Sequence, residues 1–193
     1  MTSHAAPDFG ALLARITRAL EARGVPFMLI GGQAVLLHGE PRLTQDVDIT
    51  LGLGPRHLGE VLDVCVELEL DPLPEDVEGF VSRTFVLPAR DSASGIRVDL
   101  IFSTTPYEAE AIARAVRVSV AGADVPFSTA EDLIVHKLFA GRPRDLEDVA
   151  GVIRRKGSDL DWGYLAEWVA RFSDIEGRGD LPSVLEDLRR SNT

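Results

Sequence analysis

Lysine is nearly absent from this chain. Lys137 and Lys156 stand alone among 20 basic residues, set against 31 acidic ones for a net charge of -11. The arginine bias carries no functional message, but the acid surplus does. A sequence-independent coat on nucleic acid needs a positive surface to hold phosphates, so that class is excluded while a local basic patch is not. Cysteine is limited to Cys65, which rules out an internal disulfide; among Val61, Leu62, Val64 and Leu68 it reads as a small buried hydrophobe. Apolar runs fall far short of the roughly 18 residues of a spanning helix, and the start, MTSHAAPDFG, lacks the charged and apolar blocks of a signal peptide. These absences predict a cytoplasmic chain with no membrane partner.

What is present is enough for a proper core: 193 residues suit one domain with an added lobe, or two small domains. Apolar spacing predicts a first helix over 8–23, with Asp8 as N-cap and Gly24 as stop. VPFMLI (25–30) reads as a buried strand ending at Gly31-Gly32, QAVLLHG as a short helix, DVDITL (46–51) as a second strand, and 56–70 as a helix. FVSRTFVL (80–87) and IRVDLIF (96–102) read as paired strands joined by the loop PARDSASG, followed by a helix over 105–116 and a hairpin over 116–127. Beyond Phe127 the pattern is helical, with Ser128 and Glu131 as a capping box for 129–140 and further helices near 143–156, 161–173 and 181–190. The predicted class is α+β: a mixed sheet flanked by helices in residues 1–127, then a helical lobe in 128–193.

Two carboxylates inside an apolar strand are the main anomaly. Successive strand side chains face opposite ways, so Asp46, Asp48 and Thr50 share one face while Val47, Ile49 and Leu51 share the other. Burying unpaired acids is costly unless a cation offsets them, and two carboxylates pointing together suit Mg²⁺, which takes a carboxylate or two plus phosphates and water. Asp99 repeats the anomaly in IRVDLIF; if that strand lies beside DVDITL, it completes a cluster suited to a pair of metal ions in phosphoryl chemistry. Gly31 and Gly32, lacking Cβ atoms between strand and helix, let the backbone approach a triphosphate. Arg42 and Lys137 are candidate holders of the remaining phosphate charge.

GGQA at 31–34, followed by Arg42, Thr44 and DVD at 46–48, resembles the signature of the DNA polymerase β-like nucleotidyltransferase superfamily, and in detail its AbiEii and MenT-type toxin branch. Asp99 in RVDLIF matches the superfamily's third acid. Lys137 in EDLIVHKLFAG and Arg144-Asp145 in RPRDLEDV, with Asp148 one turn on, are similar to the branch's later lysine and Arg-Asp pair. The resemblance covers residues 25 to about 150. It implies a nucleotidyltransferase fold, Asp46, Asp48 and Asp99 as ligands of Mg²⁺ (two ions), Asp99 also activating an acceptor hydroxyl, and Gly31, Gly32, Arg42 and Lys137, with Arg144 and Asp145, on the nucleoside triphosphate (NTP) side. The implied reaction moves a nucleoside monophosphate from an NTP to a hydroxyl, in the toxin branch the 3′ end of tRNA, with a cognate antitoxin as a possible partner.

Rival readings differ in the acceptor or in the class of protein. A small molecule or a partner protein could take the nucleotide, as in antibiotic-modifying and antitoxin-like enzymes, or the chain could bind nucleotides without catalysis. Plainer readings also exist for single residues: solvated strand-edge acids, a strand-ending glycine pair, a solvated Lys137, and helix bracing by Arg144, Asp145 and Asp148. His38 and His136 have no metal-ligand partners at suitable spacing and read as structural. Trp162, Tyr164 and Trp168 read as packing aromatics, since no basic run surrounds them in sequence.

Overall fold

The computed structural model describes residues 8–192; the opening residues, read above for a leader, lie mostly outside them. The chain folds as two compact units. The first holds the described residues up to Leu29 together with Gln45–Phe127, and the second holds Ile30–Thr44 and Ser128 onward. Residues 30–44, expected in the first lobe, therefore pack with the helices that follow Phe127.

The first unit is built on a seven-stranded sheet of order β3-β4-β5-β2-β1-β7-β6. Its strands are β1 (Phe27–Ile30), β2 (Asp46–Leu51), β3 (Leu70–Pro72), β4 (Val86–Asp91), β5 (Arg97–Phe102), β6 (Val116–Val120) and β7 (Ala123–Phe127). β2 runs parallel to β5 and β1 to β7, while β3-β4, β4-β5 and β6-β7 are antiparallel. The period-2 alternation of β2 and β5 explains their place at the centre. Val47, Ile49, Leu51, Val98, Leu100 and Phe102 are all buried on one face, each contributing about 1.5–3 kcal/mol of apolar burial. α1 (Phe9–Ala22) packs against α3 (Leu58–Leu68), β6 and β7. As expected, Asp8 caps α1, its side chain accepting from Ala11 N–H at 2.9 Å. Cys65 is buried in α3, and burial pushes its thiol up to about 12.

Three expectations within the first unit need correction. Residues 77–84 form a helix, α4 (Val77–Thr84), where a strand was expected over 80–87. Asp76 caps it through Gly79 N–H, and Phe85 ends it in the left-handed region at φ 58, so local capping overrides the strand-like alternation of FVSRTFVL. The strand itself starts at Val86 and takes in PARD, leaving a shorter loop, and the edge strand β3 pairs with it unannounced. The helix expected over 56–70 opens with a 3-10 turn, Pro55–His57.

The second unit is helical: α2 (Gly31–His38), α6 (Ala130–Ala140), α7 (Pro143–Lys156), α8 (Trp162–Ser173) and α9 (Leu181–Asn192). α2 packs on α6 and α7, and α6 also packs on α8 and α9. The cap of α6 sits one residue later than expected, with Thr129 accepting from Asp132 N–H and Ser128 buried beside it. Trp168 joins the core at 7% exposure, whereas Trp162 stays half-buried. Among the described residues no helix is long and apolar enough to cross a membrane.

Candidate active site

The acidic group lies in the first unit. β2 and β5 pair in register, Asp46 opposite Arg97 and Asp48 opposite Asp99. Neighbouring strands run about 4.8 Å apart and paired residues face the same way, so the three carboxylates and one guanidinium share the sheet face opposite the buried core. All three acids are partly exposed. Arg97 Nε donates to Asp99 Oδ1 at 2.8 Å, a bond that, with the charges of Asp99, Asp46 and Asp48, holds the guanidinium above its ordinary range against the opposing effect of burial. The sequence reading passed over Arg97. Its position two residues before Asp99 was the available signal, since i and i+2 on a strand share a face.

Among the described residues no three His, Cys, Asp or Glu side chains are grouped so as to enclose a metal by themselves. The donor set still fits Mg²⁺: carboxylate oxygens only, on an open face, with the rest of an octahedral shell left to phosphate oxygens and water. Arg97 marks this face as one that draws positive charge.

The glycines and the other cations lie in the second unit. β1 leads into α2 at Gly31, whose φ of 62° is in the left-handed region that favours glycine. A Cβ on Gly32 would lie 2.2 Å from Thr44 Oγ1 and 2.7 Å from Thr44 Cβ, so the close approach of the two strand-flanking segments requires glycine there. Ile30, the N-cap of α2, provides no capping side chain for the first-turn N–H groups.

Arg42 and Lys137 converge on one buried pair of acids. Asp148 accepts from Arg42 Nε at 2.8 Å and Nη2 at 3.0 Å, a two-point grip across 106 residues of sequence. Lys137 Nζ sits 2.7 Å from both Asp145 Oδ1 and Asp148 Oδ2, with its side chain 8% exposed. Arg142 Nε completes the set at 2.5 Å from Asp145 Oδ2. Burial pushes both carboxyls up, but the bonds from Arg142 and Lys137 to Asp145, and from Arg42 and Lys137 to Asp148, outweigh it and hold both below the usual carboxylate range. Arg144, exposed, donates to Leu43 O at 3.3 Å, beside Arg42. The sequence offers Arg42, Lys137 and the Arg144-Asp145 pair as candidates with no link between the three. The structure joins Arg42 to Lys137 through Asp148, and Asp145 to both through Lys137, a tie that spacing alone could not reveal.

The profile of the family described as nucleotidyl transferase AbiEii toxin, type IV toxin-antitoxin system, matches residues 11–191. No curated protein sequence matches. The fold is similar to the solution structure of the antibiotic-resistance factor ANT(2'')-Ia, at a TM-score of 0.59 and 17% identity over 88% of this chain and 96% of that one. It is also similar to the lincomycin-bound lincosamide antibiotic adenylyltransferase LnuA, at 0.51 and 14% over 74% and 94%. A putative nucleotidyltransferase from Thermotoga maritima aligns at 0.50 and 16% over 75% and 92%. At these identities the structural likeness establishes the fold.

Proposed function

Because the chain belongs to the AbiEii nucleotidyl transferase toxin family, we propose that it is a Mg²⁺-dependent enzyme that moves a nucleoside monophosphate from an NTP onto the 3′ hydroxyl of an RNA, tRNA being the expected acceptor, and that a cognate antitoxin restrains it. The observation that supports this most is the in-register pairing of Asp48 with Asp99 beside Asp46. Three carboxylates brought together on one partly exposed sheet face form an all-oxygen donor set of the kind that Mg²⁺ takes.

In this reading Asp46, Asp48 and Asp99 hold the metal, as two ions, which supplies Lewis-acid stabilisation of charge on the phosphate oxygens. Asp99 takes the proton of the acceptor hydroxyl as its oxygen attacks the α-phosphorus. The bond from that phosphorus to the bridging oxygen then breaks, and pyrophosphate leaves. Arg97 orients Asp99 through the bond at 2.8 Å. Gly31, Gly32 and the first-turn N–H groups of α2 take the triphosphate, with Arg42 and Arg144 adding charge. Lys137 and Asp145 act through Asp148 by fixing Arg42 in the segment before β2.

The test is label partition. An α-labelled NTP is incubated with the protein, Mg²⁺ and cell extract, and the label is followed into RNA, protein and small solutes. Label in RNA that needs the protein supports the reading. Label confined to small solutes or to a protein reassigns the acceptor, and NTP binding by calorimetry with no transfer to any acceptor refutes catalysis.

A further inference from the structure

A cavity of about 430 Å³ opens in the second unit among the last turn of α7, the start of α8 and the last turn of α9. Every charged side chain lining it is a guanidinium: Arg154, Arg155 and Arg189, joined by Ser158, Trp162 and Asn192. In a chain of net charge -11 this is a local reversal of sign. Lys156 and Arg190 follow in the same two helix ends, so five of the 20 basic residues gather there. We infer that this arginine cavity is a binding site for the phosphodiester backbone of an RNA strand, the acceptor side of the reaction proposed above, on whose RNA acceptor the inference rests.

The guanidinium groups are held in place. Arg154 donates to Glu40 Oε1 at 2.6 Å and to Asn192 Oδ1 at 2.7 Å, and Arg155 donates to Gly39 O at 2.6 Å. Glu40 balances the charge of Arg154. Arg155 keeps its own, because the bond it makes is to a neutral carbonyl. Trp162 Nε1 donates to Gly157 O at 3.1 Å, which fixes the indole and also occupies a carbonyl at the end of α7 that would repel an anion. The Arg189 guanidinium lies 4.4 Å from the centre of the Trp162 ring. A planar cation stacked on an aromatic, beside further guanidiniums, offers both elements used for single-stranded RNA: charge for phosphates and flat surfaces for exposed bases. A free phosphate or polyphosphate shares the first element but has no use for the second. The sequence reading made Trp162 a packing residue for want of basic neighbours; folding brings them from α7 and α9.

The test reads binding of a fluorescent RNA hairpin with a single-stranded 3′ end by anisotropy, without NTP and with EDTA, for the wild type, Arg155→Gln, Arg189→Glu and Arg190→Glu. Arg190 pairs with Asp187 and does not line the cavity, so it controls for charge alone. The expected result is an affinity loss of about tenfold for Arg155→Gln and Arg189→Glu, each lowering the salt slope by about 1, with Arg190→Glu within about twofold. Inorganic tripolyphosphate at equal phosphate concentration leaves most of the RNA bound. Equal losses in Arg189→Glu and Arg190→Glu, no loss in any variant, or ready displacement by tripolyphosphate would each overturn the inference. Melting curves confirm that each variant is folded; should Arg155→Gln loosen Gly39, Arg189→Glu decides. RNA labelling with an unchanged RNA KM in Arg189→Glu defeats the inference and spares the reaction. RNA binding lost in Arg189→Glu, where no label ever reaches RNA, defeats the reaction and spares the inference.

Discussion

Gly32 lies so close to Thr44 that a β-carbon added to it would stand 2.2 Å from Thr44 Oγ1. The obstacle includes Thr44 Cβ, which a rotamer change cannot move away. Gly32→Ala is therefore expected to cost about 1–3 kcal/mol of stability, as overpacking does, and to depress NTP-dependent transfer by shifting the segment that leads to Asp46. Thr44→Gly in the same chain relieves the clash, so urea melts should place the double variant above Gly32→Ala. A Gly32→Ala protein as stable and active as the wild type would contradict this account of the glycine.

Lys137 offers a separate test, because its ammonium is enclosed by Asp145 and Asp148 at 2.7 Å each. Its removal takes one charged hydrogen-bond partner from each of two buried carboxylates, which keep Arg42 and Arg142, and Lys137→Ala is expected to lose about 1.5–3 kcal/mol in denaturant unfolding. A direct NTP contact predicts a different outcome: stability near the wild type with a raised KM for NTP.

Acid should unfold the second unit in two ranges. His38 is held below its ordinary 6.5, mainly by burial, with the Ser128 carbonyl bond opposing and Lys156 adding to the shift. A lowered pKa means that the unfolded chain binds the proton more readily, so this stability is complete above 6.5 and is lost as pH falls below it. Asp145 and Asp148, also lowered, give stability that is complete above their ordinary 3.8 and is lost as pH drops towards their folded values. Unfolding free energy followed from pH 8 to 3 should show both declines, and His38→Gln should remove the upper one alone.

Much of this was legible in the sequence, for reasons that can be located. The strands β2 and β5 carry their own period-2 alternation, so the acids and the core residues separated by parity alone, and the family resemblance then supplied a reason for the acids. The helices of the second unit announced themselves through apolar spacing. What stayed hidden depended on partners far away in sequence: the Arg42–Asp148 grip, the enclosure of Lys137, and the packing of residues 30–44 with α6 and α7. Residues 77–84 failed for a local reason. Asp76 caps Gly79 and turns a strand-like pattern into a helix, a signal present in the sequence but outweighed by alternating apolar residues.

Arg97 should matter through Asp99. Arg97→Met removes the bond at 2.8 Å and its positive charge while keeping much of the apolar stem. Transfer is expected to fall by about tenfold to a hundredfold and to need more Mg²⁺ for half-maximal rate, with Arg97→Lys recovering part of it. An unchanged Mg²⁺ requirement would separate Arg97 from the acidic group.

The central claim is that the face shared by Asp46, Asp48 and Asp99 carries the chemistry. Its most direct measurement is transfer of label from an α-labelled NTP to RNA by wild type, Asp48→Asn and Asp99→Asn, alongside their melting temperatures. Rates lower by about a thousandfold are predicted in both variants, equivalent to several kcal/mol of lost charge stabilisation, with melting temperatures near that of the wild type because the substitutions are isosteric at partly exposed sites. Undiminished labelling by folded Asp48→Asn or Asp99→Asn protein would contradict it.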